Sequence, residues 1–376
     1  MSWYKPQYAA AMDLVFARIP AEREVCDVSL RNALGRVAAE AVHVPTEFPA
    51  AALARMDGHA VGAPDTGTED NVLDKVVRTG DAVPEWTVRV IPHEDYVPAR
   101  NNLRPRTSAL DSNLVLAGQE YARGEMLIKA GTLLREQHLA SLRVLGIQQV
   151  RVRSLAEVRV IRFGNHPTGA ATSGWVADFV RAWGALRATE SEAWDADSLV
   201  RALGGDLSVV VSDGAPGRYD AIKSLLLEGV ESMTPGFWKV DLQPCKHVGF
   251  SVYGNSHPVL ALPDLFYKTV MSCTVFLAPV LERLSGVARH STAARWEGDT
   301  TEPGHYPVAV PVELRGGAWG VEAIPVVGDT PFSARKYLSV GGFCLLWRRV
   351  HKGDVVQVDP LLGSGVTPPP CSPQVD

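Results

Sequence analysis

The sequence predicts a multidomain α/β plus β protein: a central α/β domain, a small β-rich domain inserted before it, and a β domain towards the C-terminus. Three observations carry this. Between 157 and 286 short apolar runs alternate with amphipathic ones, the pattern of parallel βαβ units. From 45 to 124 the apolar stretches are brief and separated by Pro, Gly, Asn and Asp clusters. Beyond Gly286 the β character returns.

Taken in order, Tyr8 to Arg18 reads as a helix, and Leu30, Leu34, Val37 and Ala38 form a second helical pattern that stops before Val44-Pro45. The 45–124 insertion contains a strand at Trp86 to Ile91 and a polar stretch from Ala99 to Ser112. Leu139, Leu142 and Leu145 recur at helical spacing within Leu134 to Leu145, with Gly146 where a C-cap belongs and a strand through Val150 and Val152 after it. Residues 1–44 and 125–156 are therefore expected to form one helical and linker domain around the insertion.

In 157–286, Val158 to Phe163 is the first strand. Ser173 is the expected N-cap of a helix whose stripe is Trp175, Val176, Phe179, Val180 and Trp183, and a further helix runs from Asp197 to Leu203. Leu207 to Val211 is a buried strand, Tyr219 to Leu227 a helix, and Phe237 to Val240, Val248 to Val252 and Val259 to Leu262 are strands before a long helix from Leu265 to about Leu284. In 287–362 the strands expected are Tyr306 to Val312, Trp319 to Val327, Tyr337 to Trp347 and Val355 to Val358, in a barrel or sandwich. The 363–376 tail has a disordered composition.

Hydrophobic residues make up 46% and charged residues 21%, which suits packed cores, and a net charge of -5 argues against nucleic acid or an anionic membrane as a general partner. The longest apolar run, Val270 to Leu281, falls short of the roughly 20 residues that span a bilayer. The five scattered cysteines point to a reducing compartment, and Asp13 and Arg18 interrupt the apolar run a signal peptide would need, so a cytoplasmic location is expected.

Three motifs then follow one another. Met56-Asp57-Gly58-His59-Ala60 comes after Val44-Pro45 and Phe48; Ile128 to Leu133 leads into Leu142 to Ile147; and Val211-Ser212-Asp213-Gly214-Ala215-Pro216-Gly217-Arg218-Tyr219-Asp220 precedes Trp238-Lys239, Gln243-Pro244-Cys245-Lys246 and Leu262-Pro263. In order and spacing, over roughly residues 20 to 287, the chain resembles the molybdopterin molybdenumtransferase family, which includes the gephyrin E domain. That resemblance implies a three-layer α/β molybdopterin-binding-like domain and a C-terminal β-barrel.

It also implies a reaction, the insertion of molybdate into adenylylated molybdopterin with Mg2+. By resemblance the catalytic candidates are Asp57, Glu120 and Asp220, with Asp57 and Asp220 as metal ligands. Ser212, Asp213, Gly214, Gly217, Pro244 and Lys246 would hold the pterin phosphates and molybdate, in line with the preference of anions for Gly-rich turns and cations. The resemblance further implies an elongated homodimer with its cleft between the α/β domain of one subunit and the inserted domain of the other.

Each residue has a plainer reading. Asp57 before Gly58 is ordinary turn chemistry, Asp213 and Asp220 suit helix caps, and Lys246 suits a solvated surface. Cys245 beside Lys246 would have its thiol pKa lowered if the lysine were close.

Four elements depart from the family. Asn165-His166 stand where it has two acids, Asp264-Leu265-Phe266 where it has Gly-Asn-Pro, Ile91 to Val97 where it has Thr-Gly-Ala-Pro, and Gln243 where it has lysine. Two functions stay open: a molybdenumtransferase, or a divergent paralogue with lost or repurposed activity that binds or scaffolds.

Overall fold

The computed structural model describes residues 6–20, 23–62, 74–95, 112–164, 169–212, 221–287, 291–317, 320–326 and 338–361. The chain divides into two compact units, one of residues 27–34 and 38–151 and the other of 1–26, 35–37 and 152–376. Along it run α1 (Tyr8–Phe16), β1 (Val25–Ser29), β2 (Val42–His43), β3 (Leu53–Ala54), β4 (Gly58–Gly62), β5 (Asp74–Val77), β6 (Thr87–Pro92), β7 (Leu114–Val115), β8 (Met126–Ile128), α2 (Glu136–Val144) and β9 (Gln149–Arg153).

The smaller unit is built on short antiparallel pairings: β5-β4-β6, β2-β8 and β3-β7. Its core gathers Ala54, Ala60, Val77, Val83, Val90 and Leu114. Helix α2 ends as the sequence predicts, with Gly146 at φ +71° and the Ile147 N–H donating to the Leu142 carbonyl at 3.0 Å.

The helix expected through Leu30, Leu34, Val37 and Ala38 does not form. A single 3-10 turn (Leu30–Asn32) is followed by Gly35 at φ +72°, and Ala38 and Ala39 donate to the carbonyls of Thr132 and Arg151. Pairing with distant backbone takes the groups a helix would have used.

The larger unit carries β10 (Ala156–Phe163), α3 (Gly169–Ala182), β11 (Leu186–Ala193), α4 (Ala196–Ala202), β12 (Leu207–Ser212), α5 (Ala221–Ser224), β13 (Met233–Trp238), β14 (Gly249–Tyr253) and β15 (His257–Pro263). These strands form one sheet ordered β11-β10-β12-β15-β14-β13. The first four are parallel, and β14 is antiparallel to both neighbours.

Side-chain alternation sorts the sheet into two faces. Val158, Val160, Val209, Val211, Leu260 and Leu262 pack in one core with Val176 and Val180 of α3. Ile161, Phe163, Val210, Val259 and Ala261 face a second core with Leu199, Ile222 and Leu226. This is a three-layer α/β sandwich, and strands buried on both faces explain the unbroken apolar runs in the sequence.

Two details differ from the sequence reading. Ser173 lies inside α3, its hydroxyl donating to the Ala170 carbonyl at 3.3 Å, instead of capping the helix. Strand β11, LRATESEA, went unpredicted because it is a polar, half-exposed edge strand, which carries little apolar signal.

After the sheet, α6 (Phe266–Ser272) passes through a π-helical turn (Cys273–Leu277) into α7 (Ala278–Ser285). Pro279 lacks the N–H that the Val275 carbonyl would receive, and the Tyr8 hydroxyl donates to that carbonyl at 2.8 Å instead. The chain then closes a five-stranded barrel of β16 (Thr292–Trp296), β17 (Val308–Gly317), β18 (Gly320–Pro325), β19 (Gly342–Leu346) and β20 (Val355–Pro360) around buried Trp296, Val312 and Val358. The Thr292–Trp296 strand was not expected, and the 363–376 tail lies outside the described residues.

Candidate functional site

The register of the large sheet creates one populated edge. Phe163 pairs with Ser212 and Ser212 with Pro263, so the C-terminal ends of β10, β12 and β15 lie side by side. Trp238 pairs with Gly249 and Gly249 with Ala261, which brings the 239–248 turn to the same edge. Ligands of open α/β sheets bind outside such carboxyl ends.

The turn is held firmly. The Lys239 N–H donates to the Val248 carbonyl and the Val240 N–H to the Lys246 carbonyl, both at 3.0 Å. Gln243, ahead of a cis peptide bond to Pro244, donates to the Pro307 carbonyl at 3.0 Å and accepts from the Ala309 N–H at 2.8 Å, next to and on β17 of the barrel. Cys245 is fully buried as an apolar anchor. Burial pushes its thiol up to about 12, opposite to the direction expected from its neighbour Lys246. Desolvation of the thiolate outweighs the lowering effect of Ser272, and Lys246 is exposed.

This edge carries Lys239, Lys246 and Lys268 together with the carboxylates of Asp241 and Asp264. Burial, together with Lys268, Lys239 and Lys246, holds the His247 imidazole down to about 4. Lys268, on α6, is itself lowered by partial burial and by Lys246. Among the described residues none of the three lysines is in an ion pair. Ser212 is buried at the end of β12, and buried Asp264 follows β15 with its Oδ2 close to Gly169.

Of the residues singled out from sequence, Ser212, Pro244 and Lys246 therefore share one edge. Asp213, Gly214, Gly217 and Asp220 lie outside the described residues, as do Asn165 and His166. Asp57 and Glu120 belong to the smaller unit. Asp57 Oδ1 accepts from the Thr79 N–H at 2.7 Å and from its hydroxyl at 2.9 Å, which lowers the carboxyl pKa further than the nearby His93 and Arg78 do. Glu120 is exposed, with its backbone N–H donating to the Phe48 carbonyl at 3.2 Å.

Gly58 in the Met-Asp-Gly motif has a structural reason: a Cβ there would stand 2.1 Å from the Ile91 carbonyl oxygen on the paired strand. Among the described residues no group of three or more His, Cys, Asp and Glu is placed to hold a metal ion. His247 and Lys268 were missed in the sequence, where an isolated histidine and a lysine after Leu265-Phe266-Tyr267 carry no motif.

Comparison with known proteins agrees with this architecture. Residues 7–146 match the MoeA N-terminal region, domains I and II. A solved MoeA protein of molybdopterin biosynthesis from Pyrococcus horikoshii superposes with a TM-score of 0.72 over 96% of this chain and 100% of its own, at 21% identity. The chain has the MoeA fold.

A second MoeA structure from Pyrococcus horikoshii OT3 gives a TM-score of 0.67 at 19% identity, over 94% of this chain and 99% of its own. A molybdenum cofactor biosynthesis protein from Pyrococcus furiosus gives 0.58 at 17%, over 94% and 99%. A putative molybdopterin biosynthesis protein of Methanocaldococcus jannaschii is 28% identical over 156 residues, which is 36% of this chain and 38% of that relative. The match thus spans well under half of the curated relative.

Proposed function

We propose that this chain acts in molybdenum cofactor biosynthesis by binding an anionic pterin at the sheet edge, as a molybdopterin molybdenumtransferase that inserts molybdate into adenylylated molybdopterin. The observation that carries the reading is the set of lysines on the 239–248 turn at the same sheet edge as Ser212, the edge where α/β sheets take ligands. Both substrates are anions: the adenylylated pterin has a phosphoanhydride, and molybdate is a tetrahedral oxyanion. Lys246 and Lys239 neutralise their charge, and Ser212 offers a hydroxyl donor at the strand end.

Mg2+ would serve to neutralise the phosphates and needs one or two carboxylates. The carboxylates that the resemblance offers for it are Asp57, whose charged form the two Thr79 hydrogen bonds favour, and, as a separate candidate, Asp220.

A second reading, a paralogue that binds without turnover, is favoured by one observation: buried Asp264, followed by Leu265 and Phe266, stands after β15 where the resemblance implies Gly-Asn-Pro. The test is molybdate-dependent formation of molybdenum cofactor from adenylylated molybdopterin by the purified protein, with calorimetry of the pterin alongside. Turnover supports the transferase. Binding without turnover supports the second reading, and absence of both removes the proposal. A gain of activity in Asn165→Asp with His166→Glu would show that only ligands are missing.

A further inference from the structure

We propose that the cavity at the amino-terminal edge of the large sheet, between the end of α1, α7 and the start of β15, binds a small organic carboxylate with a flat apolar body. The cavity measures about 630 Å³, within the roughly 300–1,000 Å³ usual for small-molecule sites. Asp206 and His257 line it where β12 and β15 begin, so it lies at the opposite edge from Ser212 and the 239–248 turn. It is independent of the pterin reaction.

Arg283 supplies the specificity. Its Nε donates to the Ile19 carbonyl at 2.7 Å, and its guanidinium carbon lies 5.5 Å from the centre of the Phe16 ring. These two contacts orient the guanidinium and leave Nη1 and Nη2 to a ligand. The parallel N–H groups of such a fork match the two oxygens of a carboxylate. Arg18, exposed on the same wall, adds a second positive charge, and among the described residues neither arginine is in an ion pair.

The other ionisable groups of the cavity are committed within the fold. Arg23 pairs with both carboxylate oxygens of Asp206, and Oδ2 also accepts from the Glu157 N–H at 2.8 Å. His257 Nε2 is hydrogen-bonded to the buried Ser208 hydroxyl at 2.9 Å. Burial and Arg159 hold this imidazole below its usual range, against the opposing effect of Asp206, so it is neutral at pH 7. The unmatched charge is therefore positive and belongs to Arg283 and Arg18. Around it stand Phe16, Ile19, Pro20 and Pro258, which an inorganic anion would leave in water and an apolar body covers.

The test is calorimetric titration of the full chain at low salt with cinnamate and with uncharged cinnamamide, on wild type, Arg283→Gln and Arg143→Gln, an exposed arginine of the smaller unit. Wild type is expected to bind cinnamate saturably and about tenfold more tightly than cinnamamide. Arg283→Gln should weaken cinnamate by about tenfold and leave cinnamamide within about twofold, because only the charge-assisted pair is lost. Arg143→Gln should bind both as wild type does.

The proposal is overturned if wild type shows no saturable cinnamate binding, if it binds cinnamamide as tightly, or if Arg283→Gln binds cinnamate like Arg143→Gln. The comparison of the two ligands on wild type decides the matter even where Arg283→Gln fails to fold.

Discussion

His247 and Cys245 show how burial reassigns residues that look ordinary in a sequence. The unfolded imidazole titrates near 6.5 and the folded one at about 4, so on acidification the unfolded chain takes the proton first. The stabilisation linked to His247 is therefore complete above about 6.5 and is lost as pH falls towards 4. The full shift corresponds to roughly 3 kcal/mol, and a half-exposed group screened by solvent should deliver on the order of 1–2 kcal/mol. Chemical denaturation of wild type and His247→Gln across this window checks it; the variant should lose less stability on acidification. Cys245, its thiol pushed up to about 12, should resist a thiol reagent in the native protein and react only on unfolding. Reaction at the native rate of an exposed thiol would contradict its burial.

At the scale of elements, two contacts invite measurement. Tyr8→Phe removes the donor to the Val275 carbonyl that Pro279 leaves unserved, and should cost about 1 kcal/mol in denaturant unfolding. Gly58→Ala drives a methyl against the Ile91 carbonyl in the β4–β6 pair and should cost at least about 1–3 kcal/mol, with loss of the smaller unit's cooperative unfolding. Strands β10, β12 and β15 were legible because burial on both faces writes a continuous apolar run. Strand β11 was not, since an edge strand needs to bury so little, and the expected helix at Leu30–Ala38 yielded to backbone pairing that local propensity does not see. In the candidate site, Ser212 and Lys246 were legible through motifs, while Lys268 carried no local signal at all.

On the scale of the whole molecule, the homodimer implied by resemblance predicts a gel-filtration mass near twice 40.6 kDa, and a clean monomer would count against that assembly. No helix among the described residues is long and apolar enough to cross a membrane. The sequence by itself determined the alternating βαβ pattern, the β-rich region of 45–124 and the β character of the C-terminal part, because apolar periodicity and turn residues act over a few neighbours at a time. It also marked Asp57 and Ser212 by motif. Only the tertiary structure decided that Lys239, Lys246 and Lys268 act on His247, that Cys245 is an anchor, and that Gly58 answers to Ile91. Electrostatic coupling and desolvation depend on distance and burial in three dimensions, and strand register sets both between residues that are far apart along the chain.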